Sequence, residues 1–293
     1  MTRFRSKLAL GAANFGLNYG IANKNGKLET DEIAKILNLA NTSGIEIIDT
    51  AQAYGDSEQR LGPLHQSRFG IITKIDVGLD KTYSENLIKF LVTESLTKLS
   101  LDYFSAVLLH RPELLFGPDS KKIILELNSL KEKGLAQKIG VSIYSPEVLE
   151  EITKVIDLDI VQAPFNVFDQ RILKSGWVER LKEKGVEVHT RSIFLQGLLL
   201  MQKSELPIYF KENWASLFED WFEFQLNVGA DSDKIALDFG LQNPWIDKIV
   251  VGVDSVRQLE RLLQIEVAES YLSMPCFNVD DLDLIDPSKW RVK

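Results

Sequence analysis

Short apolar runs alternate with longer amphipathic segments along most of this chain. The runs are rich in β-branched residues, which is typical of buried strands. The segments between them repeat apolar residues at helical spacing, as Ile33, Ile36, Leu37 and Ala40 do within residues 30–44. Strands that alternate with helices indicate a parallel sheet joined by crossover helices.

The number of these runs selects a fold. Eight of them can be distinguished, at residues 8–10, 45–48, 69–73, 103–109, 136–142, 158–164, 186–192 and 247–252. Eight strand–helix units in about 250 residues are typical of a (β/α)8 barrel. A doubly wound open sheet is the rival fold, but GAANFG after the first run matches G-x-G-x-x-G poorly. The sequence therefore predicts an α/β chain with a single TIM-barrel domain over residues 1–293.

Two stretches are predicted to present an apolar face to the barrel. The first is a helix over residues 84–99 with Leu87, Phe90 and Leu91 facing inward. The second lies in the long gap between the seventh and eighth runs, where residues 192–228 hold an extra loop and an aromatic helix. Its Trp214, Phe218 and Trp221 fall on one helical face. Core packing is the simpler interpretation, and a lid over the site is the alternative.

Four polar residues follow the ends of three successive runs. Asp49 closes the second run and Tyr54 follows five residues later, Lys74 closes the third run, and His110 closes the fourth. Each residue alone is consistent with an ordinary cap, turn or strand end. Active sites of (β/α)8 barrels lie at the C-terminal face of the strands, so we expect the four side chains to meet there.

These side chains form a set that can transfer a proton. A phenol has an ordinary pKa of about 10 and is a slow acid near neutral pH unless a cation stabilises the phenolate. Lys74 can supply that cation, Asp49 can hold Lys74 protonated, and His110 can orient the reacting oxygen. Such a donor typically contributes about 10²- to 10⁴-fold in rate. The set suits reduction of a carbonyl by hydride from a cofactor.

Composition narrows the classes of partner. The chain carries 34 basic and 42 acidic residues, for a net charge of −8, and has no block of Lys and Arg. We therefore expect no nucleic-acid partner. No apolar window approaches the roughly 18 residues of a membrane span, and the single cysteine fits a reducing compartment, so we expect a cytoplasmic protein without a membrane partner. The histidines, at 65, 110 and 189, lack the spacing of metal ligands.

Several motifs together identify a family. The segments LGAANFG, DTAQAYGDSE, ITK, LLHRPE, KIGVS, VQAPFN, SIFLQGLLL and VVGVDSVRQLE resemble the aldo-keto reductase superfamily across essentially the whole chain. The resemblance implies a (β/α)8 barrel and NAD(P)H-dependent reduction of a small aldehyde or ketone to the alcohol. It also implies that Asp49, Tyr54, Lys74 and His110 are the catalytic tetrad, with Tyr54 as the general acid.

The resemblance also implies where a cofactor binds. Ser142 and Gln162 would hold the nicotinamide carboxamide, and the other implied contacts are Ser192, Phe194 and Gly197 along the pyrophosphate and Gly252, Ser255 and Gln258 around the adenosine. Arg191 stands where many members stack an aromatic ring on the nicotinamide, and a guanidinium plane can stack as well. Since Gln258 replaces the usual arginine, we expect Arg261 to bind the 2′-phosphate. NADPH is the expected cofactor, with NADH as the alternative.

The substrate pocket is expected to be polar. Asn14, Phe15, Gln52 and Arg111 are predicted to face it, which favours a sugar or sugar-derived carbonyl over an apolar one. The alternative for Arg111 is an ion pair with Glu113. Two other functions stay open: a cofactor-binding redox sensor or channel-associated regulatory subunit with slow turnover, and a Schiff-base aldolase that uses Lys74 as its nucleophile.

Overall fold

The apolar runs form the strands of a closed parallel barrel. A computed structural model describes residues 2–65, 67–78, 83–265 and 275–291. Within these ranges the eight strands are β1 (Leu8–Gly11), β2 (Ile47–Asp49), β3 (Gly70–Ile75), β4 (Phe104–Leu109), β5 (Ala136–Ser142), β6 (Ile160–Pro164), β7 (Glu187–Arg191) and β8 (Lys248–Gly252). Each strand pairs with the next, and β1 closes the sheet by pairing with β8. The predicted single-domain (β/α)8 barrel is therefore confirmed.

Helices surround the barrel. The α-helices of the described residues are Thr2–Arg5, Ala13–Gly16, Thr30–Thr42, Ser57–His65, Leu87–Leu99, Ser120–Glu132, Leu149–Val155, Arg171–Lys174, Trp177–Glu183, Ile208–Asn213, Ala215–Val228, Ser232–Leu241, Val256–Leu263 and Leu282–Ile285. Shorter 3₁₀ turns are Pro112–Phe116, Pro146–Val148, Leu195–Leu200 and Pro287–Lys289. Across the described ranges, no helix combines the length and the apolar character needed to cross a bilayer.

The strands bury side chains on both of their faces. Ile47, Ile72, Ala106, Leu108 and Ile160 form a small cluster of their own, which the alternation of side chains along each strand assigns to the barrel interior. A larger core fills the space between the barrel wall and the helices. Burying one such aliphatic side chain contributes roughly 1.5–3 kcal/mol. This packing makes the barrel a firm support for the polar residues at its rim.

The helix Leu87–Leu99 packs Leu87 and Leu91 against the core, as the sequence predicts, but not Phe90. Its buried stripe includes Ile88, Val92 and Leu96, whereas Phe90 is 64% exposed. Residues spaced by four lie on one helical face, and Phe90 is two positions away from this stripe. The prediction that Phe90 faces inward is wrong because the aliphatic stripe beginning at Ile88 determines the rotation of the helix.

The segment between β7 and β8 holds the turn Leu195–Leu200 and three helices, Ile208–Asn213, Ala215–Val228 and Ser232–Leu241. The turn Leu195–Leu200 follows β7 directly, and the helix Ala215–Val228 packs farther away. That helix buries Phe218, Trp221 and Phe224, and the Trp221 ring lies edge-on to Phe277 with 5.5 Å between ring centroids. Its aromatic face therefore belongs to the core.

Candidate active site

Asp49 and Lys74 meet at the C-terminal ends of the neighbouring strands β2 and β3. Both side chains are buried, and the Lys74 ammonium donates to a carboxylate oxygen of Asp49. It also donates to the Thr50 carbonyl at 3.1 Å and to the phenol oxygen of Tyr54 at 3.4 Å. All three N–H groups of the ammonium thus have an acceptor, and they fix its position beside Tyr54.

A short turn after β2 carries Tyr54 to this position. The Gln52 N–H donates to the Lys74 carbonyl at 3.1 Å, and the Tyr54 N–H donates to the Ala51 carbonyl at 3.0 Å. Gly55 follows with φ of +59°, where a Cβ would lie 2.5 Å from the Gly16 carbonyl oxygen. Glycine is therefore required at this position, because both the backbone angle and the space exclude a side chain.

Lys74 remains an ammonium in this environment. Burial by itself lowers the pKa of Lys74, but the Asp49 carboxylate and the neighbouring Tyr54 oxygen raise this pKa above its ordinary value overall. A Schiff-base nucleophile must be a neutral amine. The surroundings of Lys74 therefore oppose the aldolase alternative and favour an electrostatic role.

His110 lies beside the phenol as a neutral imidazole. Its ring stands edge-on to the Tyr54 ring, at 89° and with 6.3 Å between centroids. Burial and then the charge of Lys74 lower the pKa of His110 to about 4. Its Nδ1 atom is buried and has no hydrogen-bond partner among the described residues. A neutral ring offers one donor and one acceptor, as needed to orient a carbonyl oxygen.

Gln162 and Ser142 support the ion pair from within the barrel. The Gln162 side-chain amide donates to the second carboxylate oxygen of Asp49 at 2.7 Å, and the Ser142 hydroxyl donates to the side-chain oxygen of Gln162, Oε1, at 3.3 Å. Both residues are buried, and neither belongs to the wall of the cleft described next. Their predicted contact with a nicotinamide carboxamide stays a prediction.

An elongated cleft crosses the barrel mouth beside the tetrad. It holds about 850 Å³ of empty space, its open mouth included. At one end it touches Asp49 and Tyr54, and elsewhere it is lined by further residues that the sequence predicts for the site: Asn14, Arg191, Ser192, Phe194, Gly197, Gly252 and Gln258. Two of the four predicted catalytic residues, Asp49 and Tyr54, therefore line one cleft with six of the ten predicted cofactor residues, whereas Lys74 and His110 are not part of its wall.

The cleft fits an extended anionic ligand. The Arg191 guanidinium lies 4.6 Å from the Tyr144 ring centroid and donates to the Ile143 carbonyl at 3.1 Å. No ion pair with a carboxylate is found for Arg191 in the part of the chain that the structure describes. The next residues form a turn in which Ser192, Leu195, Gln196 and Gly197 all have positive φ. Turns of this kind make concave sites for anions, so the residues present fit a dinucleotide.

The far end of the cleft is built around the helix Val256–Leu263. The Ser255 hydroxyl caps this helix by accepting the Gln258 N–H at 3.1 Å, and the Gln258 side chain accepts the Asp254 N–H at 2.6 Å. Arg261 lies outside the cleft wall and donates to the carboxylates of Asp233 and Asp231, the latter at 2.7 Å. A 2′-phosphate would have to share Arg261 with these two carboxylates.

Three of the four residues predicted to face the substrate lie elsewhere. Asn14 lines the cleft, whereas Phe15 is fully buried in the core. The Gln52 amide turns away from the cleft to the Leu91 carbonyl and the Ser95 hydroxyl, both at 2.9 Å. Arg111 is exposed and pairs with Asp76 at 2.8 Å, not with Glu113. These side-chain directions depend on partners that the local pattern does not reveal.

Sequence reasoning missed several residues of the cleft. Tyr19 and Asn23, from the segment after β1, line it together with Gln196 of the turn after β7. The long polar segment after β1 is the signal that could have indicated them, because βα loops build the active face of a barrel. A buried glutamate behind the site, Glu58, was also missed.

Comparisons with known proteins agree with this geometry. Residues 7–271 match the family model described as Aldo/keto reductase family. The chain is 28% identical over 261 residues to the uncharacterized oxidoreductase YqkF of Bacillus subtilis, which covers 80% of this chain and 82% of that protein. It is 25% identical over 280 residues to D-arabinose 1-dehydrogenase of Saccharomyces cerevisiae, covering 88% and 82%. The solved structure of aldo-keto reductase AKR11C1 from Bacillus halodurans in its holo form superposes with a TM-score of 0.71 at 21% identity, covering 88% and 86%.

Proposed function

The chain belongs to the aldo/keto reductase family, and from that premise we propose that it reduces a polar aldehyde or ketone to the alcohol with Tyr54 as the proton donor. One observation carries this proposal: the Lys74 ammonium lies 3.4 Å from the Tyr54 oxygen at the end of the cleft. Enzymes of this family use a nicotinamide cofactor, and the Arg191 region of the cleft fits one.

Each residue of the tetrad has a separate role in the proposed reaction. A reduced nicotinamide bound in the cleft would supply the hydride to the carbonyl carbon. The phenol oxygen of Tyr54 accepts a hydrogen bond from Lys74, so its own proton can pass to the carbonyl oxygen. Lys74 stabilises the phenolate that remains, and Asp49 keeps Lys74 charged and in place. The neutral His110 can hydrogen-bond the same carbonyl oxygen and orient it toward Tyr54.

The lining of the cleft supports a hydroxylated substrate. Asn14, Asn23, Tyr19 and Gln196 provide amide and phenol groups along it. Such groups can hydrogen-bond the hydroxyls of a sugar or sugar-derived carbonyl, although Asn14 and Asn23 also have partners within the chain. The relative named D-arabinose 1-dehydrogenase points to the same class of compound.

We propose NADPH as the cofactor, with Arg261 as its contact for the 2′-phosphate. Arg261 is about half exposed, and its partner Asp231 is exposed, so their ion pair is weak in water. Replacing Asp231 by a phosphate as the partner of Arg261 therefore costs little free energy. The buried Asp233 contact can keep the guanidinium oriented meanwhile.

A substrate panel tests this function. Aldoses, hydroxyaldehydes and matched apolar aldehydes are each incubated with NADPH or NADH, and loss of the reduced-nicotinamide absorbance is followed. We expect steady turnover with NADPH and larger kcat/KM values for the hydroxylated compounds. Absence of steady oxidation with every carbonyl would contradict the reductase function, and a burst without further turnover would support the sensor alternative. A preference for apolar aldehydes would contradict only the substrate class.

A further inference from the structure

A buried carboxylate lies directly behind the tetrad, on the outer side of the barrel wall. Glu58 is 3% exposed and stands in the first turn of the helix Ser57–His65, where the helix dipole favours an anion. One of its oxygens accepts the Thr73 hydroxyl at 2.7 Å, and the other accepts the Ser95 hydroxyl at 2.9 Å. Glu58 is not among the residues that line the cleft.

The two hydrogen bonds of Glu58 connect it to the strand that carries Lys74 and, through Ser95, to the turn that carries Tyr54. Thr73 precedes Lys74 in β3, and side chains alternate along a strand, so Thr73 points outward to Glu58 while Lys74 points inward to Asp49. On the other branch, the Ser95 hydroxyl accepts the Gln52 amide at 2.9 Å. Gln52 belongs to the turn that carries Tyr54.

The Thr73 contact and the Ser95–Gln52 contact of Glu58 are also joined through the backbone. The Gln52 N–H donates to the Lys74 carbonyl at 3.1 Å, so the turn before Tyr54 is tied directly to the residue that supports its phenol. Glu58, Ser95 and Gln52 thus close a ring of hydrogen bonds around the junction of β3 and this turn. Misplacement of a reacting group by about 1 Å can reduce a rate about 100-fold, so this junction matters for catalysis.

The hydrogen bonds in this ring have one direction. The Gln52 amide donates to Ser95, Ser95 donates to one carboxylate oxygen of Glu58, and Thr73 donates to the other. A carboxylate accepts at both oxygens, whereas an amide at the same position accepts at one and donates at the other. Glu58→Gln therefore keeps the shape of the side chain but removes one of its two acceptors, so that either Ser95 or Thr73 must turn its hydroxyl to accept from the new amide.

We propose that Glu58 is a positioning residue that holds Tyr54 at hydrogen-bonding distance from Lys74 through Ser95 and Gln52 on one side and Thr73 on the other. This inference rests on the proposed reductase function, because it assigns Glu58 a part in proton donation by Tyr54. Glu58 acts through the turn and the strand, and it touches neither substrate nor cofactor.

Kinetics of three variants test this role. We expect Glu58→Gln to lower kcat by about 10- to 100-fold while the cofactor Kd and the carbonyl KM stay within about twofold of the parent. Ser95→Ala removes only the connection from Glu58 to Gln52, so we expect a smaller loss of kcat. If Glu58→Gln does not fold, Ser95→Ala provides the test of the positioning role. Glu94→Gln, an exposed change on the same helix as Ser95, is the matched control and should keep the parent kcat.

A second measurement separates positioning from general damage. In a Tyr54→Phe background the residual rate does not use the phenol, so Glu58→Gln should lower it no further. Amide hydrogen exchange should meanwhile rise at residues 50–56 in Glu58→Gln and Ser95→Ala, and not in Glu94→Gln.

The outcomes are distinguishable. A parental kcat in Glu58→Gln, or an equal loss in the Tyr54→Phe background, would overturn the positioning role while the reductase function stands. If the parent reduces no carbonyl, the proposed function fails, and hydrogen exchange alone decides whether Glu58 holds the turn: unchanged exchange at residues 50–56 overturns this as well.

Discussion

The ammonium of Lys74 is held between the buried Asp49 carboxylate and the phenol of Tyr54, whose oxygen lies 3.4 Å away. Charge and proton donor are thus joined in one hydrogen-bonded unit at the ends of two neighbouring strands. The unit also couples catalysis to stability, because neither charge of the buried pair can be removed without leaving the other unpaired.

Removal of the ammonium should destabilise the fold. We expect Lys74→Met to lower the free energy of unfolding by about 3–5 kcal/mol, since the Asp49 charge is left buried without its partner. The double variant Asp49→Asn, Lys74→Met should recover part of this loss. Urea denaturation measures both. Lys98→Met, which removes a partly exposed partner of Glu94, is the control and should change stability by less than about 1 kcal/mol. Equal losses at positions 74 and 98 would contradict the burial of an unpaired Asp49 charge in Lys74→Met.

The neutral state of His110 predicts a pH dependence of stability. The pKa of His110 falls to about 4 in the folded chain, from an ordinary value of 6.5, so the unfolded chain binds the proton first as pH falls. The stability that neutral His110 contributes is complete above about pH 6.5 and is lost between about pH 6.5 and 4. Between pH 7 and 4, the parent should lose up to about 3 kcal/mol more than His110→Gln. Parallel unfolding free energies for the two proteins over this range would be inconsistent with a buried neutral ring.

The turn after β7 should tolerate no side chain at residue 197. Gly197 has φ of +89°, and a Cβ there would lie 2.7 Å from the Cβ of Ala22 across the cleft. We expect Gly197→Ala to weaken cofactor binding by about tenfold or more, since the turn must shift to avoid this contact. Gly229 also has positive φ but has open space around it, so Gly229→Ala controls for backbone strain. Fluorescence titration gives the cofactor Kd of each variant. An unchanged cofactor Kd in Gly197→Ala would count against the cleft as the cofactor site.

Arg261 should distinguish the two cofactors. If its guanidinium binds a 2′-phosphate, Arg261→Ala raises the Kd of NADPH and leaves that of NADH unchanged. Arg257→Ala removes an exposed cation from the same helix and is the control for net charge. Equal Kd values of NADPH for the parent and Arg261→Ala would contradict this contact.

The strand ends could be predicted because their signal is local. The change from an apolar run to Asp49 or Lys74 marks the end of a strand, and parallel strands place such ends at one rim of the barrel. The same reasoning works for His110 at the end of β4.

Side-chain direction outside the strands could not be predicted in this way. Gln52 donates to Leu91 and Ser95, which are 39 and 43 residues away in sequence. The residues next to Gln52 in sequence therefore do not indicate this contact. Arg111 pairs with Asp76 across two loops for the same reason. Glu58 resembles an ordinary acidic residue in the first turn of a helix, and its burial depends on β3 and the helix Leu87–Leu99, which supply its partners Thr73 and Ser95.

Tyr54 provides the most direct test. Single-turnover reduction of a hydroxylated aldehyde by the parent and by Tyr54→Phe, at saturating NADPH, measures the chemical step. We expect Tyr54→Phe to react about 10²- to 10⁴-fold more slowly while its cofactor Kd is unchanged. A parental single-turnover rate in Tyr54→Phe would contradict proton donation by Tyr54.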